Sequence, residues 1–333
     1  MAETQDASGT FTHPPSPEDA AGVVRTPAVL VVNTHARKGQ AQLEAARAAL
    51  EASGLRLADV RALEEPDALP GELSRAVDAG ARLVIVGGGD GTLNCAAHAL
   101  AGRDVLMGVL PLGTANDFAR GLGLSRSLEA AAHVIAHGAP KAVDLGRMDG
   151  HVFLNAASVG LTSIVAARLD PALKRRVGQL AYPVTAASEA WKLEPFKATL
   201  RTRARTLEVE ALQVVVGNGR YQGGGRIIHP SATLDDERLS VYVITAEGSA
   251  AEETAAAKLQ RLWRLARVGV VLRRGRHLAL PQVTHFRTAA LTLETDPPLE
   301  VNVDGELIGK TPTTFSVLPG ALKVLVPANP SGQ

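Results

Sequence analysis

The sequence predicts an α/β domain followed by a mainly β domain: a doubly wound unit first, a β-sandwich-like unit second. Three observations carry this. Up to residue 145, short apolar runs alternate with helix-length segments, the pattern of a parallel sheet with crossover helices. Within that half, three glycines separate a wholly apolar run (LVIV, 83–86) from an Ala-rich helix (93–100). Beyond residue 146, strand-length runs punctuated by turn signals take over.

The elements follow in order. Residues 1–24 are polar and contain a Pro-Pro-Ser-Pro turn. With no basic start and no apolar stretch they are not a secretory signal, and they read as a disordered leader. A first strand at 28–32 leads through Asn33-Thr34-His35-Ala36-Arg37-Lys38-Gly39 into a helix at 40–53. Arg37 and Lys38 sit where a βα loop meets a helix, the ligand-facing edge of an open parallel sheet; solvated surface charge is the other reading. A second strand at 55–62, a helix at 69–79 and the 83–86 strand complete the alternation. The run at 105–112 repeats the design and ends in Gly113-Thr114-Ala115-Asn116-Asp117. There Thr114 offers a hydroxyl, and Asn116 or Asp117 can cap the next helix.

The first domain is bounded at 25–145, with a C-terminal return at 315–328, and the β-rich domain at 146–314. Strands are expected at 152–157, 197–200, 207–216, 239–245, 290–294 and 299–303. The chain of 333 residues is long enough to bury a large core. A formal charge of +1 and 3% aromatic residues argue against a nucleic-acid partner. One cysteine, Cys95, excludes an internal disulfide and suits a reducing compartment. No apolar stretch has transmembrane length, so the chain reads as soluble.

Four segments carry chemistry. Gly88-Gly89-Asp90-Gly91-Thr92 joins strand to helix, leaving bare N–H groups at a positive helix end that glycines let a phosphate chain approach. Asp90 supplies a carboxylate where Mg²⁺ on a nucleotide would sit, although a tight turn with no ligand uses the same residues. A P-loop is excluded because Thr92-Leu93 follows Gly91, and no G-x-G-x-x-G spacing fits. Asp235-Asp236-Glu237 can hold a hard cation or form a solvated turn. Asp304-Gly305 is a hairpin signal; Glu306 beside it is a surface acid or, if the turn faces the crevice, a general base for a hydroxyl. Between Glu253 and Glu294 there is no acid, while Lys258, Arg261, Arg264, Arg267, Arg273, Arg274 and Arg276 alternate with apolar residues around Trp263. That stretch reads either as a basic amphipathic membrane contact or as a helix packed on the β domain.

Taken together, these pieces resemble the bacterial soluble diacylglycerol kinases of the YegS-like lipid kinase group. The matches are GGGDGTLN (87–94), LPLGTANDFAR (110–120), VDLG (143–146), GNGRYQGGGR (217–226), PSATLDDERL (230–239) and VNVDGELIG (301–309). The resemblance implies transfer of the γ-phosphoryl group of ATP, with Mg²⁺, to a lipid hydroxyl: diacylglycerol first, phosphatidylglycerol or a sphingoid lipid otherwise. It implies that Gly88, Gly89, Asp90, Gly91, Thr92, Leu93 and Asn94 cradle ATP with Thr114, Asn116, Asn33 and Lys38, and that Asp90 organises Mg²⁺. Asp144 would join that network, and Glu306 would be the general base. A second, structural Mg²⁺ would be held by the Thr233 carbonyl, the Asp236 carboxylate and the Arg238 carbonyl.

Four departures stand out. They are Asn33-Thr34 in place of Asn-Pro, Cys95 in place of an acid, Leu63 in place of a threonine, and Asp-Asp-Glu in place of Asp-Asp-Gly at 235–237. The expected location is the cytoplasm, peripheral to the inner membrane face through residues 258–276, and a homodimer is compatible with the sequence. The alternatives are an NAD kinase-type enzyme with a soluble substrate, or a non-catalytic nucleotide- or lipid-binding relic.

Overall fold

The computed structural model describes residues 27–34, 39–168, 189, 193–246 and 255–328. The leader, Lys38 and the loop around it, and part of the second domain lie outside them. The chain divides into two compact units, one running to Leu145 and resuming at Leu318, the other Gly146–Val317.

The first unit alternates β1 (Ala28–Asn33), α1 (Gly39–Ala52), β2 (Leu57–Leu63), α2 (Leu69–Asp78), β3 (Leu83–Gly88), α3 (Asp90–Leu100) and β4 (Leu106–Pro111). Helices α4 (Asp117–Gly121) and α5 (Leu128–His137) follow, and β5 (Ala139–Met148) leads out of the unit. The strands lie in the order β2-β1-β3-β4, all parallel. Each residue of β3 and β4 is buried, which is why these segments are apolar without alternation. Leu30, Ile85 and Leu110 pack with Leu43 and Leu50 of α1 and Ile135 of α5. Helix α3 begins at Asp90, three residues before the predicted start. Asp90-Gly91-Thr92 is therefore the helix's own first turn.

The second unit contains β6 (His151–Phe153), β7 (Ala156–Gly160), α6 (Leu161–Arg168), β8 (Phe196–Arg201), β9 (Thr206–Gly217), β10 (Tyr221–Gln222), β11 (Arg226–Ile227) and β12 (Leu239–Thr245). Then come α7 (Ala255–Leu272), β13 (Val283–Thr288), β14 (Ala290–Asp296), β15 (Glu300–Val303), β16 (Glu306–Lys310) and β17 (Thr313–Val326). Pairing within the unit is antiparallel. Strand β9 is central: its first half pairs β8 and its second half lies between β7 and β12. Val214 and Val216 enter one core and Val215 the other, and an irregularity in the pairing at 211–213 lets Leu212 join Val215. That second core is closed by Leu265, Val268 and Leu272 of α7, spaced one helical face apart.

The predicted strand at 152–157 is two strands, β6 and β7. Strand β17 begins in the second unit against β14 and ends in the first, where Lys323 and Val324 pair parallel with Leu106 and Met107 of β4.

Candidate functional site

Beyond the C-terminal ends of β1, β3 and β4, three loops of the first unit present their polar groups. The glycines after β3 are required by close approach. A Cβ on Gly88 would lie 2.4 Å from the Thr92 side chain, and one on Gly113 would lie 2.3 Å from the Gly89 Cα. The loops after β3 and β4 therefore touch backbone to backbone, which side chains would forbid. Gly91 differs: it is exposed, and a Cβ there would meet nothing within 4 Å. The first bond of α3 runs from Leu93 N–H to the Gly89 carbonyl at 3.0 Å. The N–H groups of Asp90, Gly91 and Thr92 precede it and have no intrahelical acceptor.

Asp90 is fixed from the neighbouring loop, its Oδ1 accepting the Phe118 N–H at the start of α4 (3.1 Å). Asn33 Nδ2 donates to Thr92 Oγ1 at 3.1 Å and so ties the β1 loop to the same helix end. Two oxygens here, Asn94 Oδ1 and Thr34 Oγ1, are buried without a hydrogen-bond partner. Unpaired helix N–H groups beside an exposed glycine form a donor set that fits the phosphates of a nucleotide, while the orphaned Asn94 Oδ1 is an acceptor that suits a hydroxyl, an amino group or a cation carried with them.

Two residues expected to touch ATP have other work. The Leu93 side chain is wholly buried in the core and its N–H is spent inside the helix, so it supports the loop from beneath. Asn116 sits in the left-handed region (φ 52°) and is 3% exposed. Its Oδ1 accepts the Gly113 N–H at 3.0 Å, and its Nδ2 donates to the carbonyls of Gly113 (2.8 Å) and Pro111 (3.2 Å). The amide is consumed by its own loop, which it shapes. Thr114 is exposed, and its carbonyl, with that of Ala115, accepts from Arg126, a brace with no signal in the local sequence. Asp144, 4% exposed, accepts the Gly320 N–H of β17 at 2.8 Å and thereby anchors the returning strand. Lys38 lies outside the described residues.

In the second unit, β15 and β16 form a tight hairpin with Val303 opposite Glu306. Asp304 and Gly305 both have positive φ (48° and 103°), as the Asp-Gly signal requires. The Asp304 carboxylate gathers the backbone N–H groups of Leu154 (2.7 Å), Asn155 (3.1 Å) and Ala156 (2.9 Å). This function was not visible in the sequence, because its partners lie about 150 positions upstream. Glu306, the first residue of β16, is exposed.

At the turn expected to hold a second Mg²⁺, protein groups engage the carboxylate. Asp236 Oδ2 accepts the Thr233 N–H at 2.8 Å and Oδ1 accepts the Arg238 N–H at 3.1 Å, while the Arg287 guanidinium forms an ion pair with Oδ2. The carboxylate is thus already committed. Among the described residues, no group of three or more His, Cys, Asp or Glu side chains could hold a metal ion.

A parallel sheet whose glycine loops open at the strand ends, followed by an antiparallel sandwich-like unit, is the arrangement that two family models describe in turn. The family model for the diacylglycerol kinase catalytic domain matches residues 27–148, and that for the YegS C-terminal NAD kinase beta sandwich-like domain matches residues 155–326. The chain belongs to the YegS-like lipid kinase family. It is 34% identical over 302 residues to a Pseudomonas aeruginosa protein named probable lipid kinase YegS-like, covering 90% of this chain and 94% of that one. A Stenotrophomonas maltophilia protein of the same name is 32% identical over 268 residues, 77% of this chain and 82% of that one. A crystal structure assigned to a diacylglycerol kinase of Bacillus anthracis superposes with a TM-score of 0.72 at 25% identity, covering 92% of this chain and 96% of the other.

Proposed function

We propose that this kinase transfers the γ-phosphoryl group of ATP to the hydroxyl of a membrane lipid, diacylglycerol being the first candidate. The observation that carries the reading is the open end of α3: unpaired N–H groups at an exposed Gly91, the orphaned Asn94 Oδ1, and Asp90 aligned by the Phe118 N–H. The relatives' names and the matched catalytic domain supply the lipid side of it. Phosphoryl transfer asks little covalent chemistry of a protein, so positioning and charge neutralisation do most of the work. Mg²⁺ bound with ATP would neutralise phosphate charge, and Asp90 is the carboxylate proposed to hold it. The helix end orients the phosphate chain. Glu306 is the proposed acceptor of the lipid hydroxyl proton.

The lipid must be met at a surface, and α7 supports such contact. While Leu265, Val268 and Leu272 face the core, Leu259 (60%), Trp263 (71%) and Val270 (74%) are exposed, with Arg267, Arg273 and Arg274 exposed beside them. The side chains of Lys258, Arg261 and Arg264 lie outside the described residues. Each basic residue near an anionic leaflet adds about 1 kcal/mol, enough in sum for reversible binding at the inner membrane face. No helix among the described residues is long and apolar enough to cross a membrane.

The test is transfer of labelled γ-phosphate to micellar diacylglycerol, phosphatidylglycerol, ceramide and sphingosine, with NAD as the soluble control. Asp90→Asn and Glu306→Gln are each expected to lower the rate by about 10² or more while the fold is retained. Label in NAD alone, or in nothing while ATP still binds, would defeat the reading.

A further inference from the structure

We propose that the Arg287 guanidinium is the built-in counter-charge of Asp236, so that the 233–238 turn closes on its sheet without a metal ion. The strand ladder delivers it. Arg287 on β13 lies directly opposite Ser240 on β12, two residues beyond Arg238, so its side chain rises where the turn joins the sheet. Both partners are largely withdrawn from solvent, Arg287 at 23% and Asp236 at 18% side-chain exposure. Nε and Nη2 of Arg287 are buried and donate no hydrogen bond, so the Asp236 carboxylate is what answers their charge.

The carboxylate is saturated from two sides. Thr233 and Arg238 turn their N–H groups toward it, at 2.8 and 3.1 Å, and Thr233 Oγ1 lies 3.4 Å away. The guanidinium on Oδ2 already supplies the positive charge that a cation would bring to this carboxylate. The guanidinium also sets a positive field around the turn: the His229 ring is held below its usual pKa, first by burial and then by the charge of Arg287. Arginine stays protonated at every accessible pH, so its charge is permanent where a metal's depends on supply.

The experiment uses the full chain without nucleotide. After purification in millimolar Mg²⁺ and gel filtration into metal-free buffer, elemental analysis is expected to find far less than one Mg²⁺ or Ca²⁺ per chain. Returning either ion at millimolar concentration is expected to leave the melting temperature unchanged. Arg287→Met should lower that temperature by about 5–10 °C, because it strands a half-buried carboxylate. Millimolar Ca²⁺ should restore part of the loss, and the double variant Arg287→Met, Asp236→Leu should melt higher than Arg287→Met alone. A native chain that retains one equivalent of metal, or whose melting temperature falls in EDTA and recovers with Mg²⁺, overturns the proposal. So does an Arg287→Met chain that melts like the native one. If Arg287→Met does not fold, the metal content and EDTA response of the native chain decide.

Discussion

The loops after β3 and β4 are built from the same few residue types, glycine, asparagine, aspartate and threonine, yet they spend them in opposite ways. The β4 loop closes on itself: Asn116 satisfies both ends of its own turn, and Arg126 ties down the carbonyls of Thr114 and Ala115. The β3 loop keeps groups in reserve, an exposed Gly91, helix N–H groups without acceptors and a buried Asn94 Oδ1 with no donor. One loop contributes stability and lends rigidity to the other. The second gives up stability to hold a binding surface open, as unpaired buried polar atoms must.

That contrast can be broken most severely at Gly113. Gly113→Ala places a methyl group against the Gly89 backbone, which cannot swing aside as a side chain would, and is expected to cost about 3 kcal/mol or more in urea unfolding. Asn116→Ala removes three hydrogen bonds and leaves the Gly113 amide unanswered; a loss of about 2 kcal/mol is expected, with nucleotide affinity falling because the loop slackens. Gly91→Ala should reverse the pattern. With open space around it, the variant should unfold within about 0.5 kcal/mol of the native chain. Its methyl group stands where phosphates would approach, so the KM for ATP should rise about tenfold, equivalent to ~1.4 kcal/mol. Asn94→Ala is the mildest: stability unchanged or slightly improved, since an unsatisfied acceptor is removed, with a severalfold weaker ATP affinity by calorimetry. If Gly91→Ala and Asn94→Ala damaged stability as much as Gly113→Ala, the division of labour would be wrong.

Much of this architecture was legible in the sequence because burial writes a strong signal. The unbroken apolar run of β3 and the glycines after it located the loop, and the alternation to residue 145 located the parallel sheet. What stayed hidden depends on partners distant in the chain. Nothing near Asp304 announces that its carboxylate will collect three amides from 154–156, and nothing near Asp236 points to Arg287 fifty positions on. Asn116 entered the ATP set through the family resemblance, and the three bonds its amide makes within its own loop depend on the folded turn and not on any local motif. Strand β13 carries little burial signal, since among Val283–Thr288 only Val283 is fully buried, and its sequence does not set it apart from the basic stretch around it.

Strand β17 has a consequence for how the protein is made. The first unit leaves off at Leu145 and receives Lys323 and Val324 against β4 only after the entire second unit has been synthesised. During translation β4 therefore waits with one edge bare, while the sandwich, contiguous in sequence, can close first. The parallel-sheet half is begun first and finished last, so on the ribosome the order of completion is the reverse of the order of synthesis.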